Sequence, residues 1–120
     1  VKKQYSNIIL FTGIANPYPL EEYLKAYCLR LTPLYFKDHH EFTKKEIEKI
    51  LEIFNSDIST NKTLITTEKD YSRLKSKEFL ELLSPYPLYY VPIEIQPIKQ
   101  DTEKFNKTII DYVRRNQKHS

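Results

Sequence analysis

Asn7-Ile8-Ile9-Leu10-Phe11-Thr12-Gly13 is an apolar, β-prone run that closes on the single glycine of the chain. A strand with one wet face alternates apolar and polar residues. This one does not, which predicts a strand buried on both faces, as in a parallel sheet. Downstream of it, Asn16 reads as a helix N-cap with Pro17 at the first helical position. Leu20, Tyr23, Leu24 and Tyr27 recur at helical spacing, so a first helix is expected to about Leu29. The segment Leu31 to Phe36 is again apolar and β-prone, and Pro33, which has no N–H to give a ladder, argues for an edge position or a late strand start.

The next helix start carries the clearest local signal in the chain. Thr43 and Glu46 have the spacing of a capping box, and Phe42 and Ile47 that of a hydrophobic staple, with Ile47, Ile50, Leu51 and Phe54 as the buried face. After the polar loop from Asn55 to Lys62, Thr63 to Thr67 reads as a third strand, and Glu68-Lys69-Asp70 opens a short helical stretch through Leu74. A helix over Lys77 to Leu83 stops at Ser84-Pro85-Tyr86-Pro87, and Leu88 to Ile95 reads as a strand in which Pro92 marks an edge or a bulge. A last helix is expected from about Thr102 to Arg115, with Phe105, Ile109, Tyr112 and Val113 on one stripe and a basic tail at Arg114, Arg115, Lys118 and His119. Strands and helices alternating at this spacing specify one α/β domain over residues 1–120, a small mostly parallel sheet with helices on both faces and right-handed crossovers.

Composition agrees with a single folded domain, since 40% of 120 residues are hydrophobic and 29% charged. No apolar run approaches the roughly 20 residues that cross a bilayer, and no signal-peptide pattern opens the chain, so a soluble or cytosol-facing domain is expected. One cysteine, Cys28, can form no internal disulfide and reads as core. A net charge of +3 is too mild an excess to indicate nucleic-acid binding. The absence of methionine, even at position 1, leads us to expect a piece of a longer protein.

In a parallel sheet the loops leaving the C-terminal strand ends share one edge, where ligands bind. Three polar loops fall there: Gly13-Ile14-Ala15-Asn16-Pro17, Lys37 to Thr43, and Thr66 to Asp70. Each has a structural reading too. Gly13 ends a strand, Asn16-Pro17 starts a helix, and Thr66, Thr67 and Asp70 suit a helix cap with Lys69 as a solvated charge. The second loop holds Asp38, His39 and His40, two of the three histidines beside an acid, and two neighbouring histidines before a helix offer a base or a hydrogen-bond acceptor. One glycine excludes both a G-x-x-x-x-G-K-[ST] phosphate loop and a dinucleotide fingerprint, and the histidines with their neighbouring carboxylates are few for a zinc site.

Taken in order, Phe11-Thr12-Gly13-Ile14-Ala15-Asn16-Pro17, Phe36-Lys37-Asp38-His39-His40-Glu41-Phe42-Thr43 and Ile65-Thr66-Thr67-Glu68-Lys69-Asp70 resemble the C-terminal part of the tetraacyldisaccharide 4′-kinase (lipid A kinase) family, over about residues 7 to 95. The resemblance implies the Rossmann-like C-terminal lobe of a two-lobe enzyme. That enzyme would use ATP and Mg²⁺ to phosphorylate the 4′ hydroxyl of tetraacyldisaccharide 1-phosphate at the cytoplasmic face of the inner membrane. The phosphate loop and magnesium ligands would belong to an N-terminal lobe absent from this sequence, so the piece alone is expected to be inactive. The family's Asp-His motif falls on Asp38 and His39, with His40 as neighbour. The histidine is implied to assist a catalytic aspartate of the other lobe, with Asp38 fixing the imidazole. Gly13, Asn16, Thr66, Thr67, Glu68, Lys69 and Asp70 are the expected nucleotide- or substrate-binding positions, with no metal ligand among them. Two other classes stay open: a metal-dependent phosphoesterase fragment, since Asp-His-His also occurs there, and a noncatalytic phosphate- or sugar-binding module.

Overall fold

The computed structural model describes residues 4–92. Four strands, β1 (Tyr5–Thr12), β2 (Cys28–Tyr35), β3 (Lys62–Thr67) and β4 (Leu88–Val91), form one sheet in the order β2-β1-β3-β4 with every neighbouring pair parallel. β1 lies between β2 and β3 because its whole apolar run is covered: Ile8, Ile9, Leu10 and Phe11 have no exposed surface. The register pairs Ile8 with Leu31 on one side and with Thr63 on the other. β2 bonds only β1 among the described strands, so the edge position inferred from Pro33 is what the sheet shows.

Side chains alternate across β1 and build two cores. Ile8 and Leu10 pack with Leu20, Tyr23 and Leu24 of α1 (Tyr18–Leu24), together with Tyr27, Cys28, Ile65, Tyr89 and Val91. Ile9 and Phe11 pack on the opposite face with Ile47, Ile50, Leu51 and Phe54 of α2 (Lys44–Ser56), and with Leu64, Leu74 and Leu83. Burying each of these α2 side chains contributes about 1.5–3 kcal/mol, far more than helix propensity does. Two short helices, α3 (Glu68–Ser72) and α4 (Lys77–Leu83), follow β3, and Leu83 of α4 completes the α2 core.

The α2 capping box is formed in both directions, and Phe42 and Ile47 of the staple are buried. At the other end, the Lys62 ammonium donates to the carbonyls of Phe54 and Asp57 at 2.5 and 2.6 Å and lies 4.5 Å from the Phe54 ring centroid. A cation thus meets the carbonyls at the negative end of the helix, of which that of Phe54 also accepts the Asp57 amide at 3.3 Å.

Three boundaries differ from the sequence reading. The N-cap of α1 is Pro17 rather than Asn16; a second proline, Pro19, occupies the first turn, and Asn16 Oδ1 instead accepts from the Tyr18 amide at 3.4 Å. α1 then tightens into a 3₁₀ turn, Lys25–Tyr27, and stops short of Leu29 because β2 begins at Cys28, paired with Tyr5. The exposed Leu29 and Arg30 hide that strand start, since an edge strand need not be apolar throughout. α3 ends at Ser72, with Leu74 beyond it fully buried as a plug rather than as part of the helix. The expected β4 extension beyond Pro92, the helix from Thr102 to Arg115 and the basic tail lie outside the described residues.

At the N-terminal end of the sheet Asp57 joins three elements. It accepts from Asn7 Nδ2 at 2.8 Å, pairs with Arg30 of β2 and receives the Ser59 amide at 3.4 Å. The Asn7 amide leads, and with Arg30 it outweighs the opposing effect of burial, holding the Asp57 carboxyl down at about 2. A carboxylate depressed on folding contributes stability that is complete above its unfolded range near pH 4 and is lost as pH falls through the folded value. The melting temperature should therefore drop between about pH 4 and pH 2, and Asp57→Asn should flatten that drop while lowering stability at neutral pH. Thermal unfolding followed by circular dichroism against pH checks both.

Candidate functional site

The strand ends of β1, β2 and β3 bring the three polar loops together at the C-terminal edge of the sheet. Their junction is Asp70. Its Oδ2 accepts from the hydroxyls of Thr12 and Thr67 at 2.5 and 2.6 Å, and its Oδ1 accepts from the Gly13 amide at 3.0 Å. The Asp70 amide in turn donates to Thr67 Oγ1 at 3.1 Å, which makes Thr67 the N-cap of α3. A buried carboxylate with this many donors is satisfied from within the protein.

Gly13 owes its identity to the loop above it. A Cβ there would lie 2.6 Å from the Lys37 carbonyl oxygen and 3.2 Å from His40 Cβ, so any side chain displaces the β2 loop. That loop is fixed to β1 by two backbone bonds, from the Phe36 amide to the Thr12 carbonyl at 2.9 Å and from the His39 amide to the Gly13 carbonyl at 3.1 Å. His39 takes φ of 61°, the left-handed region, and is the sole non-glycine residue to do so among the described residues. Such a conformation costs of order 1 kcal/mol or more and persists where its surroundings enforce it.

The two histidines have different surroundings. His40 is stacked on Phe36, with ring centroids 5.0 Å apart, and meets the edge of Phe42 at 5.1 Å. Its Nε2 lies 2.8 and 2.9 Å from the two oxygens of Glu46, the capping-box glutamate of α2. Burial acts to raise the Glu46 carboxyl, but the bonds from His40 and from the Thr43 amide and hydroxyl prevail and hold it below the usual carboxylate range. His39, by contrast, has 67% of its side chain exposed. Its Nδ1 lies 3.0 Å from Arg73 Nη2, while Nε2 lies 3.6 Å from Asp38 Oδ2, beyond hydrogen-bond reach. Asp38 therefore does not hold the ring by a hydrogen bond as expected. Lys69 Nζ approaches Asp38 Oδ1 at 3.9 Å, and that oxygen, like Arg73 Nη1, is buried without a hydrogen-bond partner among the described residues.

The sequence candidates thus sort by position. Asp38, His39 and Lys69 reach solvent at the edge, and Glu68 and Asn16 are exposed at its border. Thr66, Thr67 and Asp70 are buried, and Thr66 Oγ1 donates to the Phe11 carbonyl at 2.7 Å. Direct ligand contact by these three side chains does not fit their burial. Arg73 escaped the sequence reading. Its one signal is its place three residues after Asp70, on the same turn as Lys69, and no sequence pattern says that this turn packs against the β2 loop.

Among the described residues, no three His, Cys, Asp or Glu side chains converge as a metal site needs, so the phosphoesterase reading finds no cage here.

A parallel sheet clothed on both faces, with its polar loops joined at the C-terminal edge, defines a Rossmann-like α/β domain. The sequence model of one family, described as Tetraacyldisaccharide-1-P 4′-kinase, matches residues 2–114, and the chain belongs to that family. It is similar to proteins named tetraacyldisaccharide 4′-kinase from Bacteroides thetaiotaomicron (42% identical, covering 96% of this chain and 30% of the relative), Phocaeicola vulgatus (40%, covering 95% and 31%) and Flavobacterium johnsoniae (36%, covering 90% and 28%). The chain thus spans about 30% of the length of these relatives. No solved structure matches it.

Two substitutions test the junction. Gly13→Ala should destabilise the domain by about 1–3 kcal/mol through displacement of the Lys37 carbonyl. Asp70→Ala leaves two hydroxyls and an amide without their acceptor and should cost about 2–4 kcal/mol. Urea unfolding measures both, and a loss below about 0.5 kcal/mol in either would contradict the geometry.

Proposed function

We propose that the chain is the C-terminal lobe of a kinase that transfers the γ-phosphate of ATP to the 4′ hydroxyl of tetraacyldisaccharide 1-phosphate. The carrying observation is His39, a solvent-facing imidazole beside Asp38, held in a left-handed turn over the C-terminal edge of the sheet. Family membership and the names of the relatives support the reaction; the single glycine, which allows no phosphate-cradling loop, and a chain spanning about 30% of the relatives' length support placing ATP and its Mg²⁺ on the remainder of a longer protein.

In this reading the lobe closes its polar edge over the acceptor hydroxyl. Phosphoryl transfer demands mainly positioning and charge stabilisation, with a proton leaving the attacking hydroxyl as transfer proceeds. A carboxylate from the remainder of the enzyme takes that proton, and His39 supports the carboxylate by a hydrogen bond across the cleft. Lys69, beside Asp38, supplies a positive charge at the same edge, suited to a phosphate of the nucleotide or of the disaccharide. Gly13, Thr66, Thr67 and Asp70 hold the loops in place, Gly13 by its missing side chain and the other three by buried side-chain hydrogen bonds, while Asn16 and Glu68 border the cleft. His40 serves the α2 start rather than the chemistry, given its bonds to Glu46. In this reading the whole enzyme works at the cytoplasmic face of the inner membrane, by peripheral contact, because its acceptor is acylated; among the described residues no helix is long and apolar enough to cross a membrane.

The histidines provide the test. In the full-length enzyme His39→Ala should lower kcat by about 10²-fold or more, with the KM for either substrate changed little. His40→Ala should lower the melting temperature while the folded enzyme keeps most of its turnover. If His39→Ala left turnover and its pH dependence unchanged, the proposed role would be wrong.

A further inference from the structure

Arg73 is an isolated cation whose side chain bonds a single group among the described residues, His39 Nδ1 at 3.0 Å. No carboxylate of the described residues pairs with it, and its Nη1 is buried with no hydrogen-bond partner there. An arginine kept for stability is expected to meet a carboxylate or several carbonyls, as Arg30 meets Asp57. Its backbone is nevertheless held: the Arg73 amide donates to the Asp70 carbonyl at 2.9 Å, so the side chain leaves from the turn that the Asp70 junction secures.

We propose that Arg73 is a positioning residue for His39, fixing its neutral ring as the tautomer with the lone pair on Nδ1 and the proton on Nε2. This inference rests on the role proposed for His39 above. The chemistry follows from donor inventory. A guanidinium carries only donors and stays charged, so a bond between it and Nδ1 requires Nδ1 to accept. The ring's proton then sits on Nε2. Asp38 Oδ2, at 3.6 Å, does not take it, and the exposed ring leaves Nε2–H directed outward as a donor. A donor there matches a carboxylate supplied across the cleft. His39 thus orients the group that accepts the hydroxyl's proton and is not itself the acceptor. The left-handed turn at His39 and its amide bond to Gly13 fix the other end of the same side chain, so backbone and ring are held from β1 and α3 respectively.

The experiment uses the full-length enzyme with Arg73→Met, Arg73→Lys, His39→Ala and the Arg73→Met/His39→Ala pair. Arg73→Met should lower kcat about 10-fold or more with the KM for ATP and for the lipid acceptor within about twofold, and Arg73→Lys, still a pure donor, should recover most of that loss. In the His39→Ala background Arg73→Met should change nothing further, because the two act as one unit. The ¹⁵N shifts of His39 in the wild-type enzyme should report an unprotonated Nδ1 and a protonated Nε2, a pattern that Arg73→Met abolishes. Equal kcat losses from Arg73→Met in both backgrounds would overturn the proposal, as would a protonated Nδ1 in the wild type or a raised KM as the main effect of Arg73→Met. Should His39→Ala leave turnover intact, the catalytic role of His39 fails, while the ¹⁵N pattern still decides whether Arg73 sets the ring. If Arg73→Met does not fold, Arg73→Lys and the wild-type shifts carry the decision.

Discussion

The Asp70 carboxylate, buried and fully engaged, joins the end of β1 to the start of α3 and so sets where both halves of the polar edge stand. Removing an ionised carboxylate from water is costly, and Thr12, Thr67 and the Gly13 amide offset that cost only if β1 and β3 end at the same level. Parallel pairing of β1 with β3 provides that level. From the junction two lines of geometry diverge. One runs through Gly13, whose missing side chain lets the Lys37 carbonyl and the Asp38–His39–His40 turn settle onto β1. The other runs along α3 to Lys69 and Arg73, and the two meet again where Arg73 touches His39.

That arrangement divides labour between adjacent residues of one type. His40 points into an aromatic pocket made by Phe36 and Phe42 and shares Glu46 with the cap of α2, so its ring is part of how the helix begins. His39 points out because its backbone has crossed into the left-handed region, which turns two consecutive side chains to different surroundings. The glutamate that a local pattern marks only as a capping residue is thus also the partner that occupies the second imidazole.

Much of the fold was legible because β1 breaks the alternation of a one-faced strand and Thr43, Glu46, Phe42 and Ile47 state a helix start in four residues. The C-terminal edge was legible as well, since topology fixes where loops of a parallel sheet gather. Legibility ended where a residue's role depends on a distant partner. Nothing local distinguishes the buried Thr66 and Asp70 from exposed ligand contacts, because their partners Phe11, Thr12 and Gly13 are far away in sequence. Asp38 sits next to His39 in the chain, yet the ring's hydrogen bond comes from Arg73 on another element. The early start of β2 was hidden for a related reason: Leu29 and Arg30 are exposed on an edge strand, so hydrophobic pattern could not mark it.

The placement of β1 between β2 and β3 also governs how the chain can reach this state. The first strand has no hairpin partner; its bonds to β2 wait for a helical crossover to close, and its pairing of Asn7 with Lys62 spans more than half of the described chain. Contacts of such sequence separation reward the chain only after the entropy of loop closure has been met, which slows folding relative to helical or hairpin-rich domains of similar size. During synthesis the apolar Ile8 to Phe11 run therefore emerges ahead of both strands that pair with it and stays open on one side until β3 is made, an interval in which it is the natural target for a chaperone or for a second unfolded chain.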